Sequence, residues 1–228
     1  MKKPEISVVI PAYNEEENIR KVIELTINSL KDLNFELVIV DDGSSDKTIS
    51  IVKKLMKKYK ILRLIQNPSN RGYADALKTG FNSCKGKYIT FIDADLQNRP
   101  EDIPTLLKWV NKGYDIVIGW RKDRQDILIR LIVSRLWNSL CHLLFTIPFP
   151  DINGKPKVFK TEILRDIEIE TKQWVIDLEL VHKALKKGYK AMQVPVGHSP
   201  REDKQSKATF RKGLKSLISL LEYRVKSW

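Results

Sequence analysis

The sequence predicts an α/β fold, in which a mostly parallel sheet is covered by helices on both faces. Short apolar runs rich in Val and Ile alternate over residues 1–118 with longer segments whose apolar residues recur at helical spacing. Strands that alternate with helices favour parallel pairing, because each helix crosses the sheet to reach the next strand. With 228 residues and 42% hydrophobic content, the chain can bury such a core as one main domain.

Each predicted element follows from its own pattern. The apolar run Ile6–Ile10 stops at Pro11, and Glu15–Leu30 carries its apolar side chains on one helical face. Further strands are predicted at Phe35–Val40, Ile61–Ile65, Tyr88–Ile92 and Asp115–Ile118, and further helices at Lys47–Lys58, Tyr73–Cys84, Glu101–Asn111, Ile127–Phe145 and Trp174–Lys187. We expect a main domain over residues 1–205 and an appended amphipathic helix over residues 206–228.

The chain has a net charge of +13, and most of this positive excess lies in its second half. Residues 1–119 contain 19 Lys and Arg against 16 Asp and Glu, whereas residues 120–228 contain 22 against 12. Such an excess suits phosphate groups, an anionic membrane surface or nucleic acid, and a role in solubility explains it too.

Targeting signals and membrane spans are not evident in the sequence. The two cysteines, Cys84 and Cys141, have neither a metal-binding nor a redox spacing, which favours a reducing cytoplasm. The apolar part of the N-terminus is too short for a signal peptide. The longest uncharged stretch, residues 136–150, falls short of the roughly 20 apolar residues that span a bilayer. We therefore expect a chain that does not cross a membrane by itself.

The strand at Tyr88–Ile92 ends in two carboxylates, Asp93 and Asp95. Burying unpaired carboxylates is costly, so these two are expected in a solvated crevice that faces a cation. Mg²⁺ and Mn²⁺ prefer carboxylate and phosphate oxygens, and Gln97 offers a carbonyl. The prediction is a metal site at Asp93, Asp95 and Gln97 that holds a diphosphate. The alternative is an acidic turn that caps the next helix.

Other strand ends place polar residues beside this pair. Tyr13 and Asp41 follow the first two strands, and ligands of open parallel sheets bind beyond the carboxyl ends of the strands. The glycine-rich signatures of dinucleotide-binding and P-loop proteins are missing, as are a serine-hydrolase elbow and a zinc pattern. These absences argue against oxidoreductases, P-loop enzymes and serine hydrolases.

Four motifs, in this order and spacing, resemble those of family 2 glycosyltransferases with the GT-A fold. They are Val9-Ile-Pro-Ala-Tyr-Asn-Glu15, Val40-Asp-Asp-Gly-Ser-Ser-Asp-Lys-Thr48, Asn70-Arg-Gly72 and Phe91-Ile-Asp-Ala-Asp-Leu-Gln97. The resemblance continues through Gly119-Trp-Arg121, residues 133–139 and residues 201–207, and it is greatest to polyprenyl-phosphate sugar transferases of the dolichol-phosphate mannose synthase type.

The resemblance implies a role for individual residues. Residues that match donor-binding positions are Pro11, Ala12, Tyr13, Glu15, Asp41, Gly72, Asp93 and Ala94. Asp95, Arg121 and Arg201 match catalytic positions, where an arginine suits phosphate because its planar fork binds two oxygens. Acceptor-binding positions are matched by Arg135, Ser139 and Lys207. Asp42 is expected to orient the turn after the second strand.

The implied reaction is inverting transfer of a hexose from a nucleotide sugar to a polyprenyl or dolichyl phosphate at the cytoplasmic membrane face. Mannose from GDP-mannose is the leading donor and UDP-glucose another, with Mg²⁺ or Mn²⁺ as cofactor. The alternative is a soluble enzyme of the same family that glycosylates a saccharide hydroxyl, with Asp177 as base. Glu179 is a second candidate base, but a solvated helix face is the favoured interpretation for it. A basic nucleic-acid-binding protein is a remote alternative, and no recognition motif supports it.

Two predicted helices favour a lipid acceptor independently of the resemblance. Residues 127–146, within the catalytic domain, are expected to form an interfacial helix whose narrow polar stripe leaves apolar residues over most of its surface. The C-terminal helix carries basic residues beside an apolar stripe, which consists of Phe210, Leu214, Leu217, Ile218, Leu221, Val225 and Trp228. Such helices suit an anionic membrane interface, and packing on the core is the alternative for the second one.

One segment departs from the pattern of the family. Asp151-Ile-Asn-Gly-Lys-Pro-Lys157 stands where many relatives have a Ser-Gly-Phe-Arg type sequence. Asp151 and Gly154 suit a tight turn on the acceptor side, whereas the two lysines leave the details of acceptor binding open.

Overall fold

The computed structural model confirms the α/β prediction and describes residues 3–121, 128–171, 175–197 and 210–227. Its strands are β1 (Ile6–Ala12), β2 (Phe35–Asp41), β3 (Leu62–Gln66), β4 (Tyr88–Phe91), β5 (Ile116–Arg121), β6 (Lys157–Lys160) and β7 (Ala191–Val196). Its helices are α1 (Ile19–Ser29), α2 (Thr48–Lys58), α3 (Tyr73–Ser83), α4 (Ile103–Asn111), α5 (Leu128–Phe145), α6 (Thr161–Asp166), α7 (Ile176–Lys186) and α8 (Phe210–Lys226), and a 3₁₀ turn at Pro100–Asp102 precedes α4.

The described strands form one sheet in the order β3-β2-β1-β4-β6-β5-β7. Neighbours among β1 to β4 are parallel, and β5 is parallel to β7. Strand β6 lies between β4 and β5 and runs antiparallel to both, so Lys157 at its start pairs with Phe91 at the end of β4. The carboxyl ends of β1, β2 and β4 therefore lie at the same end of the sheet as the start of β6.

Helices cover both faces of this sheet. Successive side chains of β1 point to opposite faces, so Val9 packs with Phe81 of α3, whereas Val8 packs in the cluster that contains Val22 of α1. Helices α1, α2 and α4 cover one face, and α3, α6, α7 and parts of α5 and α8 cover the other. Strands β1 and β2 are buried throughout, which explains why their sequences are mostly apolar.

The first helix begins later than its sequence pattern predicts. It starts at Ile19 rather than Glu15, because residues 15–18 belong to a loop that is hydrogen-bonded to the loop after β2. The backbone N–H of Glu15 donates to Thr48 Oγ1 at 2.9 Å, and that of Glu16 donates to Asp46 Oδ2 at 3.0 Å. The loops after β1 and β2 are thus joined.

The sequence patterns missed β6, α6 and β7. Lysines stand at both ends of β6, and this interrupts the apolar run that marks a buried strand. Pro195 lies within β7, which is an edge strand in the described sheet and so tolerates a residue without an N–H donor.

The C-terminal helix packs on the domain through residues outside the apolar stripe noted in the sequence. Leu220 and Tyr223 are buried, and the Tyr223 ring stacks on Phe145 with centroids 5.4 Å apart. The Tyr223 hydroxyl lies 2.8 Å from Nδ1 of His182 on α7. None of the helices within the described residues has both the length and the apolar character needed to span a membrane.

Candidate active site

The carboxyl end of the sheet brings together most of the residues that the sequence motifs single out. Pro11 and Ala12 are buried at the end of β1, whereas Tyr13 is exposed beyond it. Asn14 has φ of +52° and ties this loop to the next one: its N–H donates to Ser44 Oγ at 2.9 Å, and its side chain accepts the N–H of Ser45 at 2.9 Å. The loops after β1 and β2 therefore support each other.

Asp41 ends β2 and is buried with one oxygen unsatisfied. Its Oδ2 accepts the N–H of Ser44 at 3.1 Å. Its Oδ1 has no hydrogen-bond partner among the described residues. A buried acceptor without a partner is costly, so this oxygen is suited to a ligand that donates a hydrogen bond, as a nucleobase does.

Asp42 holds the loop between β3 and α3, whereas the sequence analysis expected it to orient the turn after β2. Its carboxylate accepts Asn67 Nδ2 at 2.8 Å, the N–H of Gly72 at 2.8 Å and the N–H of Arg71 at 3.1 Å. Gly72 has φ of +94°, a conformation that side chains rarely adopt. The glycine is thus required by the backbone that leads into α3.

Asp93 follows β4 and is already paired. Both of its oxygens lie 2.9 Å from Lys155 Nζ, and its Oδ1 accepts the Tyr73 hydroxyl at 2.9 Å. Burial alone would raise the pKa of Asp93, but the Lys155 ammonium and the Tyr73 hydroxyl together hold it below its usual value. The pKa of Tyr73 is raised well above its usual value by burial and by the charges of Asp93 and Asp177, so its hydroxyl stays a donor.

Asp95 and Gln97 lie in the partly exposed loop after Asp93. The N–H of Gln97 donates to Asp95 Oδ1 at 3.2 Å, and Leu96 between them has φ of +63°. The described residues contain no group of three or more His, Cys, Asp or Glu side chains that could hold a metal. The partly exposed Asp95 carboxylate nevertheless fits Mg²⁺ or Mn²⁺, because these ions commonly take only one or two carboxylates and draw their other ligands from phosphate and water.

Arg121, at the end of β5, is fixed by Asp151. Its Nε and Nη2 each donate to the Asp151 carboxylate at 2.8 Å. Burial by itself raises the pKa of Asp151, but these bonds and the guanidinium charge bring it below its usual value. The sequence resemblance implies an arginine that faces phosphate and did not predict this carboxylate partner.

Two acidic residues of α7 differ from the sequence expectations. Asp177 is buried and lies 3.7 Å from Lys155 Nζ, and it also pairs with Lys157. The expectation of a solvated Glu179 is wrong: this residue is fully buried and accepts the backbone N–H groups of Glu170 and Thr171 at 2.8 and 3.0 Å. Through these two hydrogen bonds, the buried Glu179 carboxylate holds residues 170 and 171 against α7.

The remaining predicted residues lie apart from the strand ends. Arg135 and Ser139 are exposed on α5. Arg201 and Lys207 lie outside the described residues. Tyr73, Lys155 and Lys157 were not assigned to the site from the sequence, although the departure from the family pattern at residues 151–157 pointed to the two lysines.

A sequence model of glycosyl transferase family 2 matches residues 7–167, the part of the chain that contains β1, β2, β4 and the acidic pair. The chain belongs to glycosyl transferase family 2. The match covers every donor-side motif described above and ends just after α6.

The curated relatives of this chain are longer than the chain itself. Two are undecaprenyl-phosphate 4-deoxy-4-formamido-L-arabinose transferases, one from Edwardsiella ictaluri at 31% identity and one from Photorhabdus laumondii at 33% identity. Each similarity covers 95% of this chain. The chain spans 65% and 66% of the length of these relatives.

Solved structures with a fold similar to that of this chain include glucosyl-3-phosphoglycerate synthase from Mycobacterium tuberculosis. Its complex with Mn²⁺, UDP and phosphoglyceric acid has a TM-score of 0.78 and 21% identity, over 97% of this chain and 78% of that one. Its complex with Mg²⁺ and UDP has a TM-score of 0.75 and 21% identity, over 96% and 79% of the two chains. These likenesses establish the GT-A fold.

Proposed function

We propose that this protein transfers a sugar from a nucleotide sugar to a polyprenyl phosphate, with inversion at the anomeric carbon. The observation that carries the proposal is the meeting of Asp41, with its unsatisfied buried oxygen, and the Asp93–Asp95 pair at one end of the sheet. The unsatisfied Asp41 oxygen suits a nucleobase, and the carboxylate pair suits a diphosphate with its metal. The names of the relatives support a polyprenyl phosphate as acceptor.

The donor is best sought first among uridine nucleotides. Glucosyl-3-phosphoglycerate synthase shares the fold and is described with UDP and with UDP-glucose, which favours UDP sugars as the first donors to test. The names of the relatives and solved structures given above do not include GDP-mannose, so mannosyl transfer becomes a second choice within the same proposal.

A divalent metal, Mg²⁺ or Mn²⁺, would be held by Asp95 with help from the Gln97 carbonyl. Bound there, it would neutralise charge that develops on the leaving diphosphate. The protein supplies the rest of the positioning: Asp42 fixes the loop that leads into α3, Tyr73 and Lys155 fix Asp93, and Asp151 fixes the Arg121 guanidinium. Fixed groups of this kind need no reorganisation as charge develops in the transition state.

A phosphate acceptor fits these residues better than a saccharide hydroxyl does. A phosphate monoester is already an anion at neutral pH, so it attacks without a strong general base. The alternative acceptor requires Asp177 as the base. Asp177 is 2% exposed and paired with two lysines, which leaves it poorly placed to reach an acceptor hydroxyl.

The surfaces of α5 and α8 favour attachment to a membrane that contains the acceptor. Val133 is 58%, Leu136 65% and Leu143 81% exposed on α5, and Val225 is 78% exposed on α8. Basic residues of the same helices, Arg135, Lys215 and Lys226, are exposed as well. Apolar residues bordered by cations suit the headgroup region of an anionic bilayer.

A thermal-shift panel tests the donor half of the proposal. The protein is heated with UDP-glucose, other UDP sugars or GDP-mannose, each with and without Mn²⁺. A specific donor raises the melting temperature by linkage, and more so with Mn²⁺. If neither a nucleotide sugar nor UDP shifts the melting temperature at millimolar concentration with Mn²⁺, the proposed donor site is absent.

A further inference from the structure

Lys155 lies inside the candidate site, against a carboxylate that the sequence assigns to the metal. Its Nζ is 2.9 Å from each oxygen of Asp93 and 2.7 Å from the Tyr73 hydroxyl. It also lies 4.9 Å from the centroid of the Tyr73 ring, and its side chain is only 6% exposed. The ammonium group is thus enclosed by oxygens and an aromatic face.

Two more buried charges complete this group. Lys155 Nζ lies 3.7 Å from Asp177, and Lys157 pairs with the same carboxylate. The four side chains Asp93, Asp177, Lys155 and Lys157 carry two negative and two positive charges, so their formal sum is zero. Separating Asp93 from Lys155 would leave buried charges uncompensated, which is strongly unfavourable.

The backbone explains why Lys155 is held at this position. Because β6 is antiparallel to β4, its first residues lie beside the end of β4, where Asp93 begins the acidic loop. The Pro156 carbonyl accepts the N–H of Gly119 at 2.9 Å. A Cβ at Gly154 would lie 1.8 Å from the Gly119 carbonyl oxygen, so only glycine permits this close approach to β5.

We infer that Lys155 is a positioning residue that keeps Asp93 paired and outside the ligand set of the metal, so that Asp95 is the carboxylate that binds Mg²⁺ or Mn²⁺. This inference rests on the proposed function and replaces the two-carboxylate metal site expected from the sequence. A single carboxylate is a weak site for these ions, which draw much of their coordination from phosphate oxygens and water. The metal then binds tightly only together with a nucleotide diphosphate.

Electron paramagnetic resonance of Mn²⁺ tests this assignment without measuring turnover. Mn²⁺ is titrated into the full chain with and without UDP, for the wild type and for Asp93→Asn, Asp95→Asn and Lys155→Met. With UDP, Asp95→Asn is expected to weaken Mn²⁺ binding by about tenfold or more, whereas Asp93→Asn stays close to the wild type. Without UDP, Lys155→Met is expected to bind Mn²⁺ several-fold more tightly than the wild type, because Asp93 is released.

A matched control and the contrary outcomes complete the test. Lys160→Met removes a lysine at the other end of β6, which pairs with Asp115 at 2.6 Å, and should leave Mn²⁺ binding unchanged. The inference is overturned if Asp93→Asn weakens Mn²⁺ binding as much as Asp95→Asn does, a comparison that holds even if Lys155→Met does not fold. It is also overturned if folded Lys155→Met binds Mn²⁺ like the wild type. A wild type that binds neither Mn²⁺ nor UDP would instead contradict the proposed function itself.

Discussion

Asp41 and Asp42 are neighbours in the chain, yet their carboxylates have opposite surroundings. Asp42 is saturated by the Asn67 side chain and two backbone N–H groups, whereas Asp41 retains a buried oxygen without a partner among the described residues. The sequence resemblance assigned Asp41 to the donor and Asp42 to the backbone, but it did not identify the groups that Asp42 binds. The difference in surroundings depends on loop contacts across 25 to 30 residues of chain.

Asp41→Asn tests the ligand role of the unsatisfied oxygen. The amide oxygen can still accept the N–H of Ser44, but its NH₂ group would replace the acceptor that faces the base. We expect UDP to bind about tenfold to a hundredfold more weakly by calorimetry, with little change in melting temperature. Unchanged UDP affinity in the folded variant would show that Asp41 does not contact the base.

Asp151→Asn tests the pair that fixes Arg121. Breaking a buried ion pair typically costs about 3 kcal/mol of unfolding free energy. Because the pKa of Asp151 is lower in the folded state than in the unfolded chain, this contribution is complete above about pH 4 and is lost as the pH falls through the folded pKa. Urea unfolding of both proteins from pH 7 downward should therefore show a difference that shrinks below about pH 4. A difference that stays constant down to pH 3 would contradict the role of the ion pair.

At the scale of secondary-structure elements, α8 presents two different sides. Leu220 and Tyr223 face the domain, whereas Ile218 and Leu221 are each 49% exposed. The sequence predicted the exposed stripe correctly as an apolar surface but left open whether it packs on the core. The described part of that stripe faces outward. The opposite side of α8 packs on the domain, where Tyr223 contacts Phe145 and His182.

Substitutions on the two sides of α8 should separate membrane binding from stability. We expect Ile218→Gln with Leu221→Gln to reduce sedimentation with anionic liposomes while the melting temperature stays close to that of the wild type. The matched control Leu220→Ala removes a buried side chain and should lower the unfolding free energy by about 2–4 kcal/mol while the folded fraction still binds liposomes. Full liposome binding by the outward double variant would place the membrane contact elsewhere.

His182 links α7 to α8 and makes this junction sensitive to pH. Burial, reinforced by the nearby charges of Lys186 and Arg224, lowers the pKa of His182 to about 4. The neutral imidazole is therefore favoured in the folded state, and its contribution is complete above about pH 6.5 and is lost as the pH falls toward 4. We expect His182→Gln to lose less stability than the wild type between pH 7 and pH 5 in thermal unfolding. Parallel curves for the two proteins would contradict this assignment.

At the scale of the whole molecule, the sequence predicted the five of the seven described strands that follow a regular α/β rhythm. Strands β1 to β5 and the polar residues at their ends were accessible because each strand is mainly apolar. The insertion of antiparallel β6 was not accessible, because Lys157 and Lys160 interrupt that pattern and their partners, Asp177 and Asp115, lie elsewhere in the chain. The charge group around Lys155 therefore emerged only from the three-dimensional structure.

Transfer of radiolabelled sugar to a defined lipid tests the proposed activity most directly. The full chain is incubated with vesicles that contain anionic lipid and undecaprenyl phosphate, a labelled UDP sugar or GDP-mannose, and Mn²⁺. We expect label in the lipid extract with at least one donor, and about a hundredfold less or none with Asp95→Asn or without the metal. Label that appears only on an added saccharide, or transfer to lipid that Asp95→Asn leaves intact, would contradict the proposed activity.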